Sequence, residues 1–155
     1  MRRKDREITD YNKMIEIMQN CDCCRLGFQD EEGVYILPLN FGIKEDNENI
    51  ILYFHGAAEG KKIDLVKSQK HIGFEMDAKH GLVEHETACG HSFLYQSIIG
   101  SGEVSLVEDI DEKINAMQCI MKHYSSKREW NFTEEMVKRV AVIKLVVTKW
   151  TCKEH

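Results

Sequence analysis

The stretch GVYILPLNFGIKEDNENIILYFHGAAEGKKID, residues 33–64, decides the fold. Two apolar, strand-like runs, 34–43 and 50–55, are separated by the polar segment 44–49, which is turn material. The second run passes through His55 into Gly56-Ala57-Ala58-Glu59-Gly60-Lys61-Lys62, and a helical pattern follows over 62–69 with Ile63 and Val66 inward. Glycines let a backbone approach a ligand closely, and a helix start offers free N–H groups at its positive end. Two adjacent lysines at that point would complete a phosphate site, with a solvated pair as the alternative.

Reading outward, residues 9–20 form a helix capped by Asp10, with Met14, Ile17 and Met18 on one face. Residues 23–29 read as a short strand, and Asp30-Glu31-Glu32-Gly33 as the hairpin turn into the quoted stretch. Residues 72–77 alternate like a strand. Residues 77–90, rich in His, Gly and charge, read as a long loop or lid. Residues 92–107 form a long strand in which Gly100 and Gly102 suggest a bulge. Asp109 starts a helix to about Ser125, with Ile110, Ile114, Met117, Met121 and Tyr124 along one face as core. Residues 140–148 close the chain as a strand rich in β-branched residues. About six strands with hairpins, and no regular βαβ alternation, favour a barrel that is mainly β with flanking helices.

The composition bounds the function. At 155 residues the length fits one domain, residues 1–155. Asp and Glu (26) outnumber Lys and Arg (21), giving a net charge of −5 that argues against a nucleic-acid phosphate binder. No apolar run approaches the ~18 residues of a membrane span. The opening MRRKDREITD lacks the apolar segment of a secretory signal, so six cysteines point to a reducing, cytoplasmic setting.

Several segments together resemble one family. They are Cys24-Arg25-Leu26-Gly27-Phe28, Tyr35-Ile36-Leu37-Pro38-Leu39-Asn40-Phe41-Gly42, Tyr53-Phe54-His55-Gly56-Ala57 and Gly60-Lys61-Lys62, and then Phe74-Glu75-Met76-Asp77, Tyr95-Gln96-Ser97-Ile98-Ile99-Gly100 and Met121-Lys122-His123-Tyr124. Their order resembles the pyridoxamine 5′-phosphate oxidase-like flavoproteins, closest to the 5-nitroimidazole-resistance (Nim) branch, whose opening Met1-Arg2-Arg3-Lys4-Asp5-Arg6-Glu7 also resembles this one. Trp150-Thr151-Cys152-Lys153 departs from that branch, carrying cysteine where the pattern has glycine. The resemblance implies an FMN-binding split β-barrel, a homodimer with FMN at each subunit interface, and electron transfer from a reduced nicotinamide donor to a small organic acceptor such as a nitroimidazole. A non-catalytic flavin- or small-ligand-binding module, and a metal- or haem-binding protein on the same barrel, are the rival readings.

Particular residues carry these expectations. Lys61 and Lys62 are the phosphate candidates. Pro38, the only proline, lies in a strand pattern and marks an edge, a strand start or a bulge. The resemblance has Leu39, Asn40 and Phe41 presenting backbone groups to the flavin ring, with Phe54, His55 and Gly56 close to the cofactor. His55 is the candidate catalytic residue, holding a carboxylate or nitro group when protonated; a strand-end structural histidine is the alternative. Gln96 or Ser97 would reach the partner's flavin, although strand alternation sends them to opposite faces. His80, His85, Cys89 and His91 crowd one segment without a metal-site spacing, so a polar lid with Cys89 buried is the expectation there.

Overall fold

The computed structural model describes residues 3–46, 49–127 and 129–155. Residues 47 and 48 of the expected polar turn, and the first two residues of the opening segment, lie outside the described residues.

The strands are β1 (Glu7–Ile8), β2 (Cys24–Asp30), β3 (Gly33–Leu39), β4 (Gly42–Asp46), β5 (Asn49–Ala57), β6 (His71–Val83), β7 (Ser92–Leu106) and β8 (Val140–Glu154). Helices α1 (Tyr11–Gln19), α2 (Lys61–Ser68), α3 (Ile110–Tyr124) and α4 (Glu134–Lys138) are set between them. All pairings are antiparallel, in the order β3-β2-β6-β7-β8-β5-β4, with β1 added beside β8.

This order forces the curvature. β3 and β4 sit at opposite ends of the ladder, yet only Asn40 and Phe41 join them in sequence. The three steps from Leu39 to Gly42 span at most about 11 Å, so the sheet must roll until its ends meet. Among the described residues β3 and β4 do not pair, so the closure is a seam and the fold is a split β-barrel. Its inner face holds the main core, including Leu26, Phe28, Leu52, Phe54, Phe74, Met76, Ile98 and Leu145, with Ile17 and Met18 of α1 packed in. A second core of Ile51, Tyr53, Ala116, Ile120 and Val142 seats α3 on the outer face of β5 and β8.

The seam is clasped by side chains. Phe41 is fully buried with its ring 4.3 Å from that of His123, and its N–H donates to the Tyr124 hydroxyl at 3.1 Å. That hydroxyl donates to the Asp22 carbonyl at 2.8 Å, and the His123 ring meets the Cys21 carbonyl at 2.7 Å. The end of α3 thereby ties the linker between β3 and β4 to the turn after α1.

Four sequence expectations change. The run 34–43 is two strands, because the chain leaves one end of the ladder and enters the other at Asn40-Phe41. Much of the expected lid is strand: β6 continues to Val83, pairing with Leu94, Phe93 and Ser92 of β7 across a bulge where Lys79 adopts φ 52°. That hairpin extends beyond the core with both faces largely exposed, so it lacks the alternation that marks a half-buried strand. β8 runs on to Glu154, because one extra residue at Thr148, where Ser101 pairs Lys149 and Gly102 pairs Val147, reverses the inward pattern halfway. On α3 the buried line is Ala116 and Ile120, with Ile114, Met117 and Met121 only half-buried. The helix is rotated because the backbone of Cys119 and Ile120 lies directly against Gly42, where a side chain would not fit. Among the described residues no helix is long and apolar enough to cross a membrane.

Candidate functional site

The end of β5 and the start of α2 build the candidate site. Phe54 points into the barrel core, and His55 falls on the opposite face, paired in register with Val142 of β8. The chain then turns through Gly60, whose φ of 106° suits only glycine. The carbonyl of Gly60 takes the N–H of Ile63 at 2.8 Å, opening α2 with the N–H groups of its first turn facing outward.

The two lysines diverge there. Lys61 forms an ion pair with Asp30 at the tip of the β2–β3 hairpin, and its ammonium lies 4.8 Å from the centre of the Tyr35 ring. The hydrogen bond raises the Lys61 pKa and lowers that of Asp30, so each holds the other charged. Lys62 folds back over β5 until its ammonium occupies the place a Cβ of Gly56 would fill. It is half-buried and, among the described residues, has no ion-pair partner.

His55 lies beside it. Its Nδ1 is buried and, among the described residues, has no hydrogen-bond partner. Burial lowers the imidazole pKa, and the Lys62 charge pushes it the same way. Both effects disfavour the protonated ring that His55 would need to hold an anion by charge, and the Lys62 ammonium supplies a cation beside it. A glycine cradle, an unpartnered ammonium and an orphaned buried ring nitrogen together suit an anionic ligand that also brings a hydrogen-bonding partner.

The other expected contacts lie elsewhere. Pro38 is exposed on β3, an edge strand, as its missing N–H requires. Leu39 is half-buried, and Asn40 reaches the Asp22 carbonyl at 3.4 Å. The Phe41 N–H is taken by Tyr124, so the clasp uses the group expected to face a ligand. Gln96 is buried inside the barrel, bonded through Nε2 to Glu154, with its Oε1 unpartnered among the described residues, and does not face outward. Glu154 is twelve residues along β8 from Val142, so Gln96 belongs to the end of the barrel remote from His55. Ser97 points outward beside Ile99. A single chain thus gathers His55, Gly56 and Lys62 and leaves the rest of the expected set apart.

In the His-rich segment, His80 pairs with Asp77 at 2.6 Å, His85 meets the Thr87 hydroxyl at 3.1 Å, and His91 meets the Thr87 carbonyl at 3.1 Å. Cys89 is exposed, correcting the expectation that it is buried. Among the described residues no group of His, Cys, Asp and Glu is arranged to hold a metal ion.

A profile of the pyridoxamine 5′-phosphate oxidase family matches residues 10–154. The chain belongs to that family. No curated protein matches the sequence. Among solved structures, a candidate 5-nitroimidazole antibiotic resistance protein from Bacteroides thetaiotaomicron is 31% identical with a TM-score of 0.81, over 96% of this chain and 86% of that one. A flavocytochrome from Azotobacter vinelandii is 18% identical with a TM-score of 0.83, over 100% and 72% of the two chains. An FAD- and haem-binding protein from Mycobacterium smegmatis is 15% identical with a TM-score of 0.83, over 96% and 73%. The last two likenesses extend the family's fold to flavin-binding split barrels. The resemblance read from the sequence, Nim-like and related to pyridoxamine 5′-phosphate oxidase, holds in these findings.

Proposed function

We propose that the protein is a flavin-dependent oxidoreductase that passes electrons from a reduced nicotinamide donor to a small organic acceptor, of which a nitroimidazole-type compound is one. The observation that carries the reading is the Lys62 ammonium over Gly56 beside the buried Nδ1 of His55, neither with a partner among the described residues. Family membership and the flavin named for two of the structural neighbours support it. The cofactor is FMN or a nucleotide containing it.

Lys62 and the first N–H groups of α2 hold the FMN phosphate, a dianion that suits a half-buried cation. Lys61 stays with Asp30 and anchors the hairpin against α2. His55 offers a neutral imidazole as a hydrogen-bonding partner at the edge of the ligand, fixing its orientation without adding charge. Bound there, the flavin supplies the hydride and electron chemistry. The protein excludes water with Phe54 and the barrel core behind the site.

A second copy of the chain completes each site. The outer face around Gly27 and Gly73 exposes Val34 (71%), Ile36 (54%) and Ile99 (59%), an apolar cluster that suits burial against a like surface. Ser97 stands at the edge of that face, where it meets the partner's ligand. The reading places the protein in the cytoplasm, where nicotinamide donors are plentiful.

Purification with bound flavin, a dimer by light scattering, and acceptor-dependent oxidation of NADH or NADPH are expected together. A yellow protein without turnover would reduce the reading to a flavin binder, and a colourless protein that takes up neither FMN nor FAD would overturn it.

A further inference from the structure

The β6–β7 hairpin carries a cluster that the candidate site does not use. On β6, Lys79 and His80 lie opposite the single residue Tyr95 of β7, between the pairs Ala78 with Gln96 and Gly81 with Leu94. Lys79 takes φ 52°, the one positive φ outside glycine among the described residues. Strand alternation alone would send Asp77 and His80 to opposite faces. The extra residue reverses that, and the His80 Nε2 meets the Asp77 carboxylate at 2.6 Å. Such departures of non-glycine backbone cluster where chemistry is done.

The carboxylate is itself fixed, because Arg25 of β2 donates to both Asp77 and Glu75. The ring of Phe93 lies beside that of His80, with centroids 6.1 Å apart and planes tilted by 31°. Nε2 is committed to Asp77, and Nδ1 has no partner among the described residues. The His80 side chain is 47% exposed, so that nitrogen is open to a visitor. A carboxylate that orients one imidazole nitrogen and leaves the other free is the arrangement of a proton carrier. When Nδ1 takes up a proton, the contact with Asp77 becomes an ion pair.

Position decides what the proton is for. Met76 points into the core, so Asp77 faces out, and its register partner on β7 is Ser97. Both lie on the face that a second copy covers in the reading above. Reduction of a nitro group to nitroso consumes two electrons and two protons and releases water. A hydride brings both electrons and one proton; the N–O bond breaks as the leaving oxygen takes the second proton and departs as water. We infer that His80 delivers that second proton from Nδ1 to an acceptor bound in the partner's site, with Asp77 as its positioning residue. Solvent returns the proton to the ring. The inference rests on the flavin and two-copy reading above and adds the proton source to it.

Reduced holoprotein mixed with two acceptors tests it, with flavin reoxidation followed by absorbance. Ferricyanide takes an electron and no proton, whereas a nitroimidazole needs the proton. In His80→Gln, reoxidation by the nitroimidazole is expected to slow by about 100-fold, the lower end of general acid catalysis, while ferricyanide reoxidation and flavin content stay as in the wild type. In His80→Ala, imidazole added to the buffer is expected to restore part of the nitroimidazole rate. The nitroimidazole added to oxidised holoprotein is expected to shift the ring-nitrogen NMR signals of His80, since the two touch. An undiminished nitroimidazole rate in His80→Gln would overturn the inference. So would an equal fall with both acceptors, which would make His80 a structural part of the hairpin. A wild type reoxidised by ferricyanide and never by a nitroimidazole would overturn it and leave the flavin assignment standing. A protein that binds no flavin would remove both.

Discussion

The seam and the glycine loop are both places where the sheet stops and polar groups collect, and they end in opposite states. At the seam every polar group named has a partner within the chain: the Phe41 N–H on Tyr124, Tyr124 on Asp22, and His123 on the Cys21 carbonyl. At the loop the Lys62 ammonium and the His55 Nδ1 have none among the described residues. A buried polar group without a partner costs free energy, of order 1–3 kcal/mol. The seam uses its polar groups to hold the barrel closed, and the loop keeps its groups for a ligand. Substitutions should therefore act on stability at one and on binding at the other.

The largest effect is expected at the seam. Phe41→Ala removes a fully buried ring from the clasp and should destabilise the fold by about 3–5 kcal/mol. Urea unfolding measures it. A loss below about 1 kcal/mol would mean that the clasp does not close the barrel.

At the loop, Gly56→Ala places a methyl group where the Lys62 ammonium rests. The lysine must swing away, and flavin-phosphate affinity should fall by roughly 1.5–3 kcal/mol, the range for a hydrogen bond to a charged group. Stability should change by no more than about 0.5 kcal/mol, as for a surface substitution. If stability falls with affinity unchanged, the loop is structural and the contrast disappears.

A smaller effect follows from His55. Its folded-state pKa lies below its ordinary value of 6.5, from burial first and Lys62 second. As pH falls below 6.5 the unfolded chain takes up a proton that the folded chain resists, so stability decreases through that window. Above it the contribution is flat. Unfolding at pH 7.5 and 5.5 should show a larger loss on acidification for the wild type than for His55→Gln. An identical loss in both would place the imidazole in solvent.

What was legible follows from the same physics. An apolar run marked β5, period-two alternation marked the first part of β6, and the caps at Asp10 and Asp109 marked α1 and α3. The second half of β8 was hidden because the bulge at Thr148 inverts its alternation, and the extension of β6 to Val83 because it leaves the core. The loop was legible as a glycine turn before a helix, but the division of labour between its lysines was not. Adjacent helical residues point to different sides, so Lys61 and Lys62 cannot share one target. The Asp30 that claims Lys61 reaches it only after the sheet has rolled. Gln96 and Ser97 repeat the lesson on a strand, one buried against Glu154 and the other facing out.

The central claim is that Lys62 alone, of the adjacent pair, is reserved for a phosphate. Affinities of FMN and riboflavin for the wild type, Lys62→Ala and Lys61→Ala test it directly, since the two ligands differ only in that phosphate. Lys62→Ala is expected to weaken FMN by about 10- to 100-fold, as for a lost charge-assisted hydrogen bond, and to leave riboflavin unchanged. Lys61→Ala is expected to leave both unchanged. Equal weakening of FMN and riboflavin by Lys62→Ala, or an FMN loss that follows Lys61 instead, would contradict the account.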